Sequence, residues 1–153
     1  VHRENKKLQG GLVKRLVLAI ALLLVIPVML VGCGTSESAG VKSSINGFTS
    51  AFNAGNYEKC TDYLLGMTND TVKQQTAQSL EAAKAFVQKI EVTKIEDVEV
   101  DGSSAKAKVT YEVTLSAALG GASQEDTAQM SLTKSDGKWK FGMDDFLDFD
   151  MGG

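Results

Sequence analysis

Between Ala105 and Leu115 every second residue is apolar: Ala105, Ala107, Val109, Tyr111, Val113 and Leu115 alternate with Lys106, Lys108, Thr110, Glu112 and Thr114. A helix would wind that pattern around its circumference, whereas a strand sends one set to each face. The run therefore demands a sheet packed on one side and wet on the other, which is the habit of antiparallel sheets. Two later segments repeat it. Ala128, Met130 and Leu132 alternate with Gln129, Ser131 and Thr133; Trp139, Phe141 and Met143 alternate with Lys138, Lys140 and Gly142. Ser135-Asp136-Gly137 between them reads as a hairpin turn. Upstream, Val98 and Val100 oppose Asp97 and Glu99, and Asp101-Gly102-Ser103-Ser104 turns the chain. Ile95 is out of phase with Val98, which predicts a β-bulge between them. Four antiparallel strands in a meander follow. In this phase the inward set of the last three strands is apolar, with Tyr111 its only polar tip and no Asp.

Before Glu91 the period is helical. Val41, Ile45, Phe48 and Phe52 step by four, three and four along one face. Gly55 supplies the left-handed residue that ends such a helix, and Asn56 can cap the next, which carries Tyr57, Cys60 and Leu64 to a stop at Gly66. Asn69-Asp70-Thr71 is a cluster of caps, read as a helix start rather than a glycan acceptor. The long helix behind it carries Val72, Thr76, Leu80, Ala83, Val87 and Ile90 on one face, although Phe86 to Ile90 also fits a strand. Three helices followed by four strands make an α+β domain, its helices packed on one face of the sheet.

At this point the chain resembles the nuclear-transport-factor-2-like, or cystatin-like roll, superfamily. The resemblance lies in Ala54-Gly55-Asn56-Tyr57 between two helices, in the run Val98 to Val109, and in the Asp136-Gly137-Lys138-Trp139-Lys140-Phe141 hairpin. It implies a curved sheet around the long helix, often with a cone-shaped pocket. Some of that superfamily are isomerases or dehydratases and many only bind. If this chain were such an enzyme, Asp62, Tyr63 and Tyr111 would be its candidate groups. With an apolar inward set, no catalytic residue is expected, and a small apolar ligand or an envelope protein is the expected partner.

The first 32 residues obey different rules. Arg3, Lys6, Lys7, Lys14 and Arg15 against Glu4 precede an uncharged, mostly apolar stretch from Leu16 to Val31, short for a bilayer span and interrupted by Pro27. Leu30-Val31-Gly32-Cys33 resembles the bacterial lipobox. That resemblance implies a signal peptide over 1–32, diacylglyceryl transfer to the Cys33 thiol and cleavage before it. A single acyl chain holds marginally and two hold firmly. The expected organisation is thus lipidated Cys33 with a flexible tether to Gly40, a roll domain over 41–143, and an acidic, aromatic tail over 144–153. The expected location is the extracytoplasmic face of a membrane.

Charge and residue inventory exclude several function classes. From Cys33 onward there are 11 Lys, no Arg and 18 Asp plus Glu, a net charge of −7. No basic patch for nucleic acid is expected, and a domain of that sign is mildly repelled by anionic lipid. The sole His is His2, within the leader, so no imidazole serves acid–base work, and no metal or cofactor is expected. Cys60, without a partner once Cys33 is lipidated, reads as a small buried apolar residue. In the tail, Phe146 and Phe149 are the candidate residues for docking a partner.

Overall fold

The computed structural model describes residues 36–147. A first helix, α1, covers 36–53 of these. It is followed by α2 (Tyr57–Cys60), a 3₁₀ turn (Thr61–Tyr63) and α3 (Asp70–Ala83). The sheet comprises β1 (Val87–Asp101), β2 (Ser104–Leu115), β3 (Ser123–Ser135) and β4 (Lys138–Phe141), paired antiparallel in the order β1-β2-β3-β4. A short α4 (Asp144–Leu147) follows. The expected α+β class, with helices on a four-stranded meander, is what the chain adopts.

Local chemistry sets the boundaries. Gly55 takes φ +74°, and the N–H groups of Gly55 and Asn56 donate back to the Phe52 and Ala51 carbonyls, closing α1. The Asn56 side chain accepts from Lys59 N at 3.1 Å and starts α2. Asn69 accepts from Val72 N at 3.0 Å and starts α3, so its cap role is the one realised. Asp136 and Gly137 both lie at positive φ, the conformation that a two-residue hairpin needs to match strand twist.

One boundary differs from expectation, and another is decided between two readings. Residues 36–40 are helical and belong to α1, so the helix starts before Val41 and that stretch is no tether. The face that fits a helix through Val87 and Ile90 breaks after Ala83, and both residues take the strand alternative, in β1. The buried Ile90 exchanges two hydrogen bonds with Asn53 on α1: Ile90 N donates to Oδ1 at 2.9 Å, and Nδ2 donates to the Ile90 carbonyl. That long-range pairing outweighs a helical spacing that a strand fits equally well.

The core forms where α1 crosses the sheet. Val41, Ile45, Phe48 and Phe52 are buried against Ala107, Val109, Tyr111, Met130, Leu132, Trp139 and Phe141. Phe48 meets Phe141 edge-on at 5.2 Å, a geometry worth about 0.5–1.5 kcal/mol beyond area burial. Leu64 bridges Phe141 in parallel, and Leu65 N donates to the Phe141 carbonyl at 2.9 Å, stitching the 3₁₀ segment to β4. β1 is one edge strand of the sheet and β4 the other. The register of β1 with β2 shifts between Glu96 and Glu99, where a bulge was expected, and also between Val87 and Lys89 and between Val92 and Lys94. Asp97 takes φ +48° inside the expected bulge.

Candidate functional site

α1 runs the length of the sheet and is fastened at both ends. At the C-terminal end the fastener is Asn53 on Ile90. At the N-terminal end it is Glu37, whose carboxylate accepts from Trp139 Nε1 at 3.0 Å and from Lys134 Nζ at 2.6 Å. Lys134 does most to hold the Glu37 carboxyl below its ordinary value, and the indole N–H adds to this against the opposing pull of desolvation.

Beside that clamp an open groove of about 360 Å³ separates α1 from the 3₁₀ turn and the β3–β4 hairpin. Gly40, Ser43 and Ser44 line one wall; Lys59, Asp62 and Tyr63 form the second; Gly137, Lys138 and Trp139 form the third. Two glycines seven residues apart let α1 come this close. A Cβ on Gly40 would lie 3.0 Å from Trp139 Cδ1, and one on Gly47 would lie 2.6 Å from the Tyr63 ring and hydroxyl. The sequence signal for the groove was therefore this glycine pair on one helix face, which the apolar periodicity passes over.

Asp62 and Tyr63 thus share one groove. Tyr111 is elsewhere, on the inner face of β2, and does not line this groove. It does have an acidic neighbour. Asp126 stands directly opposite it in the β2–β3 register and accepts a hydrogen bond from its hydroxyl. Burial first, then the Asp126 charge and this bond, push the Tyr111 hydroxyl above its ordinary value, so it stays protonated. The inward set therefore contains an Asp, contrary to expectation. Continuing the Ala128, Met130, Leu132 phase back by one step gives Asp126. The expected strand stopped short of it because Ser123 to Asp126 reads as loop.

Two large apolar side chains are exposed towards the opposite end of the sheet. Phe86 is 58% and Leu119 48% exposed, and the Phe86 carbonyl accepts from Ser116 N, three residues before Leu119. Cys60 is buried, with Sγ 3.4 Å from the Asn56 carbonyl, and desolvation raises its thiol to about 11. It is the packed residue expected. Among the described residues no three His, Cys, Asp or Glu side chains cluster as metal ligands. Leu30, Val31, Gly32, Cys33 and Phe149 fall outside the described residues, as does the side chain of Phe146.

A protein-family model described as a domain of unknown function, DUF4878, matches residues 31–142. None of the curated proteins matches this sequence. Among solved structures, a protein of unknown function from Mycobacterium tuberculosis superposes with a TM-score of 0.59 at 16% identity, over 80% of this chain and 83% of its own. A nuclear-transport-factor-2-like protein of unknown function from Shewanella oneidensis MR-1 gives 0.53 at 9% identity, over 69% of this chain and 93% of its own. A protein from Novosphingobium aromaticivorans, provisionally described as a scytalone dehydratase, gives 0.53 at 13%, over 71% and 80%. At such identities these likenesses speak to the fold, which is nuclear-transport-factor-2-like.

Proposed function

This chain belongs to the DUF4878 family of domains of unknown function, and on that premise we propose that it is a lipid-anchored extracytoplasmic module that binds a partner and catalyses nothing. The distribution of apolar surface carries the reading. The sheet interior is filled: Ile45, Val109, Met130 and Phe141 have no exposure at all. Uncovered apolar surface lies instead at the sheet end, on Phe86 and Leu119. Exposed large apolar groups in company mark contact sites for another molecule. The anchor is Cys33, presented by Leu30-Val31-Gly32, and the tail residues Phe146 and Phe149 are further docking candidates.

Two measurements test this. Labelled palmitate should enter the wild type and not Cys33→Ser; an unlabelled, unprocessed chain in the cytosol refutes the anchor. A photo-crosslinking residue in place of Leu119 in the anchored protein should give one discrete adduct. Smeared or absent adducts remove the interaction reading.

One observation favours a second reading, an isomerase- or dehydratase-type enzyme: the hydrogen-bonded Tyr111–Asp126 pair faces the sheet interior. A carboxylate beside a protonated hydroxyl is a base next to a donor. Such an enzyme would exchange deuterium from heavy water into the carbon beside a ketone, and Asp126→Asn would stop it. A wild type without exchange across a ketone panel removes this reading. Asp62 and Tyr63 would then line a separate groove and take no direct part.

A further inference from the structure

We propose that the groove between α1 and the β3–β4 hairpin seats the headgroup of an anionic phospholipid from the bilayer that holds the anchor; the inference rests on the Cys33 anchor proposed above. Chain length places the groove. Four Cα-to-Cα steps lead from Cys33 to Glu37, and a fully extended chain covers at most about 3.6 Å per step, so the Glu37 Cα stays within roughly 14 Å of the Cys33 Cα. Glu37 is hydrogen-bonded to Trp139, and Trp139 is a wall of the groove. A leash that short keeps the groove within reach of the headgroups, whereas Asn53 lies about 24 Å further along α1 from Glu37.

Charge selects the occupant. Lys59 and Lys138 line the groove and are exposed, and neither makes an ion pair among the described residues. Asp62 is the one acid among the described residues that line the groove, and the adjoining Glu37 is paired with Lys134, so the lining carries a net +1 inside a domain of −7. The repulsion expected from net charge is thus reversed at the one face the leash holds against lipid. Ser43, Ser44 and Tyr63 add hydroxyls that can donate to phosphate oxygens. A cavity of about 360 Å³ is large enough for a phosphoglycerol group while its acyl chains remain in the bilayer.

Trp139 is the sole tryptophan, so its fluorescence reports the groove alone. The acylated full-length protein is reconstituted into vesicles carrying headgroup-spin-labelled lipid, either in phosphatidylcholine or with phosphatidylglycerol added. Trp139 should be quenched more strongly with phosphatidylglycerol. Each lysine removed should lower the seated-to-unseated ratio roughly fivefold, so K59E/K138E loses the lipid dependence and K59R/K138R keeps it. Equal quenching in both lipids, or an unchanged response in K59E/K138E, overturns the inference and leaves the anchor standing. A wild-type chain that washes off every vesicle overturns the anchor, and the inference with it.

Discussion

The close approach of α1 to the 3₁₀ turn predicts the outcome of a double-mutant cycle at Gly47 and Tyr63. Gly47→Ala adds one methyl group, and its Cβ would lie 2.6 Å from the Tyr63 ring, too near for any real contact. The ring has to swing away. Inserting a methyl into packed surroundings costs about 1–3 kcal/mol, whereas replacing a mid-helix glycine by alanine gains about 1 kcal/mol. Gly47→Ala alone should thus destabilise by about 1 kcal/mol. In a Tyr63→Ala background the obstruction is gone and only the helix gain remains, so the same substitution should stabilise by about 1 kcal/mol. The coupling, about 2 kcal/mol, lies well above the scatter of independent sites. Urea titration of the full chain in detergent, followed by Trp139 emission, measures all four corners. Additivity within about 0.5 kcal/mol would refute the packing argument, because it would mean that Tyr63 does not occupy the space over Gly47.

Three more outcomes follow from the same geometry. Asn53→Ala should cost about 1–3 kcal/mol by denaturation, since both backbone groups of the buried Ile90 lose their partner; Asn53→Asp should recover part of this by keeping the acceptor. Glu37 has a folded pKa below its ordinary 4.5, so its contribution is complete above that value and is lost as pH falls through the lowered one. Trp139 emission should shift over that acid window in the wild type and stay flat in Glu37→Gln. The Cys60 thiol, raised from 9.0 to about 11, favours the folded state below pH 9.0 and loses that contribution as pH rises through about 11. At pH 8 it should resist a disulfide reagent until denaturant is added; prompt native labelling would contradict its burial.

Much of the fold was legible because β2 and the β3–β4 hairpin are locally consistent: the alternation, the Asp136-Gly137 turn and the burial all agree. Even the break near Asp97 showed in the sequence, as Ile95 and Val98 falling out of phase. The elements that were misread or left open are fixed by partners far along the chain. Ser36 to Gly40 has the composition of a linker and becomes helix where Glu37 finds Lys134 and Trp139, about a hundred residues away. Ile90 satisfies either period, and Asn53 decides between them. The site was less legible for a related reason. Asp126 sits at the polar beginning of β3, where the alternation fades, and only its register opposite Tyr111 shows that it faces inward. The groove depends on residues that are missing, the side chains of Gly40 and Gly47, and apolar patterning does not register them.

The outermost strand has a consequence for how copies of this protein coexist. A strand as long as Val87–Asp101 at the edge of a sheet presents backbone donors and acceptors on one side, and such a row can recruit an identical chain, although Asn53 already takes both groups of Ile90. Its three dislocations leave Lys89 to Val92 as the longest unbroken run. Copies held in one plane by the anchor proposed above would meet edge to edge often. For such copies, an interrupted border would keep a crowded surface from polymerising.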